Sequence, residues 1–309
     1  MHIDPRLLRF VLAIVEHGTF NRASIALGIS QPALSKNIAL LERRLGTKLF
    51  NRGARGATLT DAGRILARSA RNLRHLLKRA QEEIATHSKR MQGPLNLGVT
   101  PSMMLGLVPE VLTRLTQRTP KMMLTIREDL DDVLTPALLE GEIDLQVGPV
   151  GGLHEAPAGV VETPLATERY CLAVSPNHRL AQVRRVRLNE LADESWILPA
   201  PGSSFRRSVE AQFIAAGLPW PLDSIETNSL HVQGHMVATT GHIAIATTAQ
   251  LLAWHKNVVV IPLIGAPERT IGLRYREGVQ LPPLAELFIE DLKEVIKVSF
   301  AAQAMPVRS

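Results

Sequence analysis

Apolar residues near the start of the chain recur at the spacing of short helices. Leu8, Val11 and Val15 fall on one face of a first helix, and a second short helix covers residues 23–27. A third helix starts after Ser30, a good N-cap, and its apolar positions face the other two helices. Two short helices around a tight turn predict a helix-turn-helix, which places one helix in a DNA groove.

The third helix carries polar side chains on the outer side of its first turns, and the following segment is basic. Glutamine and asparagine can bond an adenine edge, lysine can bond guanine or phosphate, and serine is adaptable. Residues 48–59 predict a two-stranded wing with a glycine-rich tip that carries arginines. A helical, basic domain that does not bind DNA is the alternative interpretation. The outer face consists of Gln31, Ser35, Lys36 and Asn37.

A long helix follows the predicted wing. Thr60 can cap it, and no proline or glycine interrupts residues 64–91. Leu66, Leu73 and Ile84 lie near heptad spacing, so the helix is expected to pair with a second copy of the chain. The resulting two-fold symmetry predicts an inverted-repeat operator. A lone amphipathic helix packed on its own chain is the alternative.

From about residue 94 the pattern changes to alternating strands and helices. Short apolar runs are separated by helical segments in two successive α/β units, and a terminal helix begins at Pro283. Ligands of open α/β sheets sit outside the carboxyl ends of the strands, where helix N-termini favour anions. Small polar residues are expected at those ends, although each of them also suits an ordinary cap or turn.

Charge is distributed unevenly along the 309 residues. Residues 1–90 hold 17 Lys and Arg against 6 Asp and Glu, a net charge of +11, whereas the remainder has a net charge of −5. A basic first third on an acidic remainder is typical of a DNA-binding module attached to another domain. The single cysteine, Cys171, excludes a disulfide within the chain and is expected to be a small buried hydrophobe in a reducing cytoplasm.

The N-terminal segment closely resembles the DNA-binding domain of LysR-type transcriptional regulators. The resemblance rests on ASIALGISQPALSK at 23–36, LERRLG at 41–46, LFNR at 49–52 and LTDAG at 59–63. It implies an all-α winged helix-turn-helix domain joined to an α/β effector domain with two lobes, similar to periplasmic binding proteins. The implied limits are 1–59 for the DNA-binding domain, 60–92 for the linker helix, and 93–309 for the effector domain, with lobe I over 93–163 and 266–303 and lobe II over 164–265.

The resemblance also implies the function and its residues. The chain is expected to be a cytoplasmic transcription regulator that binds double-stranded DNA as a homodimer or homotetramer, responds to a small organic acid as co-inducer and needs no other cofactor. Contact with RNA polymerase stays open, and no membrane partner is expected. The expected DNA contacts are Asn21, Arg22, Gln31, Pro32, Ser35, Lys36, Asn37, Lys48, Arg52 and Arg55. The expected effector contacts are Thr100, Ser102, Met103, Val147, Gly148, Ser203, Ser204, Phe205, Asn228, Thr247 and Thr248.

Three other functions compete with this interpretation. An architectural DNA-binding protein would need only charge, which does not account for the patterned α/β half. An enzyme is disfavoured because the sequence has no GxSxG motif, P-loop or GxGxxG after a strand. A metal site at His231, His235 and His242 is disfavoured because the HExxH pattern is absent. No apolar run approaches the roughly 20 residues that span a bilayer.

Overall fold

The computed structural model describes residues 3–53, 56–88, 92–151, 156–254 and 257–303. Contacts divide the chain into two compact units. The first comprises 1–82 with 139–142, and the second comprises 83–138 with 143–309. Most of the long helix is therefore grouped with the helix-turn-helix. The domain limits expected from the sequence stay predictions.

The first unit contains three short helices, a hairpin and the first part of a long helix. Its caps follow from the sequence: the Thr19 Oγ1 accepts from the Arg22 amide at 3.1 Å, and the Ser30 Oγ accepts from the Ala33 amide at 3.3 Å. The predicted helix-turn-helix and wing are confirmed. The elements are α1 (Pro5–His17), α2 (Phe20–Leu27), α3 (Gln31–Leu45), β1 (Phe50–Gly53), β2 (Gly56–Leu59) and α4 (Asp61–Ser88).

The core of the first unit lies between the three short helices. Val11, Ile14, Leu34 and Ile38 are fully buried there. They come from one face of α1 and one face of α3, as the helical spacing predicts. The polar side of α3 is thereby turned away from the core.

Glu42 joins the end of α3 to the start of the hairpin. Its Oε1 accepts hydrogen bonds from the Leu49 amide at 2.9 Å and the Phe50 amide at 3.4 Å, and Lys48 Nζ lies 2.9 Å from Oε2. Burial alone would raise the pKa of Glu42, but these hydrogen bonds outweigh it and the pKa is lowered. A buried carboxylate thus fixes the hairpin relative to the polar helix.

The second unit contains two lobes that share long strands. Residues 101–118 form two helices and not one, because Pro109 supplies no amide to continue the first one. The elements of lobe I are β3 (Gln92–Val99), α5 (Pro101–Gly106), α6 (Val108–Arg118), β4 (Met122–Glu128), α7 (Asp131–Glu140), β5 (Leu145–Pro149) and α11 (Pro283–Gln303). The elements of lobe II are β7 (Trp196–Leu198), α8 (Ser204–Ala215), β8 (Ser224–Glu226), α9 (Leu230–Thr239), β9 (Ala244–Thr247), α10 (Thr248–Trp254) and β10 (Val259–Pro262), with a 3-10 turn at Leu188–Leu191. The shared strands are β6 (Val160–Val174) and β11 (Glu268–Arg276).

The shared strands run antiparallel to each other and connect the lobes. In lobe I, β3 pairs in parallel with β4 and β5, while β11 pairs antiparallel with β5. In lobe II, β9 and β10 pair antiparallel with β6. Residues 170–174 are the end of a long strand that starts at Val160. The α/β fold class with two lobes is confirmed.

Each lobe has its own core. Leu97, Val111 and Phe288 are fully buried in lobe I, and Leu198 and Val209 are fully buried in lobe II. Within the described ranges, no helix is both long enough and apolar enough to cross a membrane. The two cores leave a cleft between the lobes, next to the shared strands.

Glu42→Gln is expected to loosen the hairpin. The substitution removes the charge that three donors share, which costs about 1–3 kcal/mol for a buried hydrogen-bonded group. Hydrogen exchange at the Leu49 and Phe50 amides of the full chain should therefore accelerate by roughly 5–150-fold at pH 7. Because the folded-state pKa lies below 4.5, the stabilisation is present above that value and is lost as the pH falls through the folded-state pKa, so the difference shrinks in acid.

Glu16→Gln is the matched control for this measurement. Glu16 pairs with Arg74 at 2.6 Å, but the carboxylate is 46% exposed, and exposed pairs contribute little. Equal exchange rates at Leu49 in wild type and Glu42→Gln would contradict the assigned role of Glu42.

Candidate functional site

The outer side of α3 presents polar groups that are free to meet another molecule. Gln31, Pro32 and Lys36 are exposed, and Gln31 Nε2 lies 3.4 Å from the Ser35 Oγ. These four residues occupy the first two turns of α3, which the Ser30 cap begins. The structure therefore brings together the predicted residues that have base-reading chemistry.

The other predicted DNA contacts either are already hydrogen-bonded within the chain or lie outside the first turns of α3. Asn37 donates from Nδ2 to the Ala33 carbonyl at 2.9 Å, so its amide is already engaged within α3. Lys48 is 76% exposed although it pairs with Glu42, and Asn21 and Arg22 are exposed at the start of α2. Arg52 lies in β1, and Arg55 falls outside the described residues.

The hairpin is anchored to the turn between α1 and α2. The Ala57 amide donates to the Gly18 carbonyl at 3.0 Å. A Cβ on Gly56 would lie 2.7 Å from that same carbonyl oxygen, and the φ of Gly56 is +117°, so a larger residue does not fit. The glycines of the predicted wing thus set the distance between hairpin and helices.

The second candidate site is the cleft between the two lobes. It is a pocket of about 50 Å³, which holds a few waters but not an organic ligand. Six residues expected from the sequence line it, and their elements come from both lobes. They are Thr100, Ser102, Ser203, Ser204, Phe205 and Asn228.

The remaining expected effector residues do not line this pocket. Met103 and Val147 are buried in the core of lobe I, because each projects from the inner face of its element. Gly148 leaves room for the Thr100 side chain, since a Cβ there would lie 2.7 Å from the Thr100 Cγ2. The Thr248 Oγ1 bonds the backbone of Arg169 instead.

Asp131 closes the cleft from lobe I. Its Oδ1 accepts a hydrogen bond of 3.0 Å from the Ser204 amide, at the N-terminus of α8 in lobe II. Arg207 Nη2 lies 3.7 Å from the other carboxylate oxygen. The helix N-terminus that the sequence offered to an anionic ligand is therefore occupied by a carboxylate of the chain itself.

A buried ion pair lies at the back of the cleft, where the shared strands pair. Arg269 and Glu168 stand opposite each other on β11 and β6, and Nε donates to Glu168 Oε1 at 2.6 Å. The Glu168 carboxylate is fully buried and also accepts from the Ala249 amide at 3.1 Å. Arg269 Nη2 reaches Ser102 Oγ at 3.2 Å in lobe I and Thr247 Oγ1 at 3.5 Å in lobe II.

Sequence reasoning missed both Arg269 and Asp131. Neither lies in a motif, and their main partners are distant along the chain: Ser204 is 73 positions from Asp131, and Glu168 is 101 positions from Arg269. Arg206, in the first turn of α8, contacts Glu210, Glu226 and the Trp220 ring instead of lining the cleft pocket. The only available signal was the alternation of β11, which places Arg269 on the same face as Ile271.

Cys171 lies on β6 between β9 and β10. Burial raises the pKa of its thiol to about 11, the negative charge of Glu168 adds to the shift, and Arg169 opposes it. A thiol in this environment is protonated at neutral pH and is a poor nucleophile. The expectation of a small apolar residue agrees with the partly buried position of this side chain against an apolar cluster.

Two family models match the chain in succession. Residues 5–64 match the bacterial regulatory helix-turn-helix protein of the lysR family, and residues 88–297 match the LysR substrate binding domain. The two matches cover the first three helices with the hairpin, and both lobes with the cleft.

Individual proteins are similar over nearly the whole length. The DNA-binding transcriptional dual regulator OxyR of Escherichia coli K12 and the hydrogen peroxide-inducible genes activator of Escherichia coli O6:H1 are each 30% identical over 298 residues, which is 96% of this chain and 95% of theirs. The structure of full-length CbnR complexed with its target DNA covers 95% of this chain and 100% of that chain, with a TM-score of 0.63. At 20% identity, the likeness to CbnR shows the fold alone.

Proposed function

The chain belongs to the LysR-type family of transcriptional regulators, DNA-binding proteins with an effector-binding domain, and we propose how its own residues divide this work. The first turns of α3 read an inverted-repeat operator, and the cleft binds a small organic acid. The observation that carries the DNA part is the polar row of Gln31, Ser35 and Lys36, with Gln31 and Lys36 exposed, on a capped helix beside an anchored hairpin.

The reading of DNA bases is assigned to α3 on chemical grounds. Gln31 has both a donor and an acceptor for an adenine edge, while Lys36 supplies a point charge for guanine or phosphate. Arg52 and Lys48 on the hairpin supply charge to the phosphates next to the groove. Base contacts specify the sequence, and phosphate contacts position the protein.

A second copy of the chain is the proposed partner of α4. Ile65, Leu76 and Leu77 are each about 60% exposed on this helix. Leu8 of α1 and Leu73 of α4 line a groove within the first unit that has room for another helix. Pairing of two such helices would bury these side chains and present two recognition helices to two half-sites.

Effector binding is assigned to the cleft because its polar groups come from both lobes. A ligand that contacts Thr100 and Ser203 together favours one relative position of the lobes over others. The pocket must enlarge to admit an organic acid, and the bond between Asp131 and the Ser204 amide must open for an anion to reach α8. Effector binding is thereby coupled to lobe movement.

Gln31→Ala and Arg52→Ala should affect DNA binding differently. The full chain is first used to select its preferred site from a random DNA pool. Gln31→Ala should then weaken binding to the selected site by about 1–3 kcal/mol and relax the preference at particular bases. Arg52→Ala should weaken binding to all sequences alike and reduce the salt slope by about 1.

Asp61→Asn serves as a control, because Asp61 is exposed at the start of α4 and is not one of the expected DNA contacts. If Gln31→Ala and Arg52→Ala lose the same affinity on every sequence, the proposed division between base and phosphate contacts is wrong.

Thr100→Val should abolish the effector response and leave DNA binding intact. Thr100 is 5% exposed and lines the cleft, and valine keeps its shape but removes its hydroxyl. The measurement is a DNase footprint on the selected site with a panel of small organic acids. Thr113→Val, on an exposed face of α6, is the matched control, and an unchanged response in Thr100→Val removes Thr100 from the site.

Hydrogen peroxide should not alter DNA binding through Cys171. With a thiol pKa of about 11, roughly one thiol in ten thousand is ionised at pH 7, so oxidation is slow. Binding isotherms of wild type and Cys171→Ser, each with and without peroxide, are expected to coincide. A peroxide effect that Cys171→Ser eliminates would show that this chain is controlled by its thiol.

A further inference from the structure

A larger cavity adjoins the cleft and has no assigned role. It measures about 870 Å³, which is within the usual range for small-molecule sites, whereas the cleft pocket measures about 50 Å³. We call it the side cavity. It is lined by α8, the 3-10 turn, the end of β5 and the segment before β11. Pro149, Ser204 and Arg269 line both spaces, so the two are continuous at the buried arginine.

Two residues that line the side cavity have donor groups without partners among the described residues. Arg269 is only 9% exposed, and its Nε and Nη2 are engaged, but Nη1 has no partner in the part of the chain that the structure describes. Tyr170 is 3% exposed, and its hydroxyl likewise bonds to none of the described residues. Neither atom is sealed from solvent, so both can receive a ligand atom.

The Tyr170 ring separates the two spaces. It stacks on Phe205 with ring centroids 5.9 Å apart, and Arg269 lies 5.4 Å from the centre of the Phe205 ring. Phe205 lines the cleft pocket, whereas Tyr170 lines the side cavity. Arg269 and Tyr170 both line the side cavity, and their guanidinium N–H and phenol O–H are donors, which is the pattern that a carboxylate needs.

The lining and the rim of the side cavity indicate the polarity and the charge of a ligand that would fit there. Leu188, Ala211, Leu263 and Ile264 give the side cavity an apolar lining. Arg187 stands exposed at the rim and forms no ion pair with the described residues, whereas the nearby Glu268 is paired with Arg169 at 3.1 Å. The charge at the rim that has no ion-pair partner among the described residues is therefore the positive charge of Arg187, which complements an anion.

We propose that the side cavity binds the apolar body of an effector whose carboxylate is held by Arg269 Nη1 and the Tyr170 hydroxyl. This inference rests on the proposed function and extends it from a small acid within the cleft to an amphipathic carboxylate beside it. Arg269 also contacts Ser102 of lobe I and Thr247 of lobe II. A carboxylate bound to this guanidinium is therefore coupled to the position of both lobes.

Calorimetric titration of the full chain with octanoate tests the inference, with octanamide as the neutral counterpart. Octanoate should bind wild type at least ten-fold more tightly than octanamide, because hydrogen bonds to charged groups are the stronger ones. Tyr170→Phe keeps the ring stack and removes one donor, so it should weaken octanoate binding about ten-fold. Ala211→Phe places an aromatic ring inside the side cavity and should weaken octanoate binding at least ten-fold.

A matched control separates loss of the site from an effect of the substitution on folding. Ile214→Phe puts the same side chain on an exposed face of α8 and should bind octanoate as wild type does. Arg269 itself is a poorer target, because its loss leaves Glu168 buried without its cation.

Each contrary result has a distinct meaning. Octanoate binding that is unchanged in Ala211→Phe would place the ligand outside the side cavity and overturn the inference while leaving the proposed function intact. Equal affinity for octanoate and octanamide, or no binding of either, would overturn the carboxylate assignment. Footprinting of the same preparations on the selected DNA site tests the regulator function independently.

Discussion

The buried ion pair between Arg269 and Glu168 is the contact on which the second unit depends. It joins the two strands that connect the lobes, at a position where each residue faces the other across the ladder. Removing either partner would leave the other charge buried without its counter-ion, which is far more costly than losing a surface pair. Because Arg269 also contacts Ser102 and Thr247, the pair determines how the cleft side of each lobe approaches the shared strands.

A buried carboxylate has a similar role in the first unit. Glu42 contacts no base-reading residue, yet it fixes the start of the hairpin to the end of the polar helix. In both units, an acidic side chain without solvent accepts hydrogen bonds from backbone and basic groups of separate elements. The exposed polar groups of α3 and the lining of the cleft can therefore be arranged by residues that contact neither DNA nor ligand.

The first unit was predictable because its structure depends on interactions between residues that are close in the sequence. Caps such as Ser30, turn glycines and helical spacing act over a few residues, so the sequence displays them directly. The long strand β6 was harder, because polar residues such as Glu162 and Glu168 within it break the apolar alternation and pair with arginines of β11. The roles of Arg269 and Asp131 could not be predicted from the sequence for the same reason, because they depend on residues that only the fold brings near.

The bond between Asp131 and the Ser204 amide changes what an effector affinity means for this chain. An anion that reaches α8 does not enter a vacant site but exchanges with a tethered carboxylate, whose effective local concentration is high. The measured affinity is then the difference between two similar interactions, and it can be adjusted by residues that never contact the ligand. Evolution can therefore alter the sensitivity of the switch through the strength of the internal competitor, while its chemical selectivity stays the same.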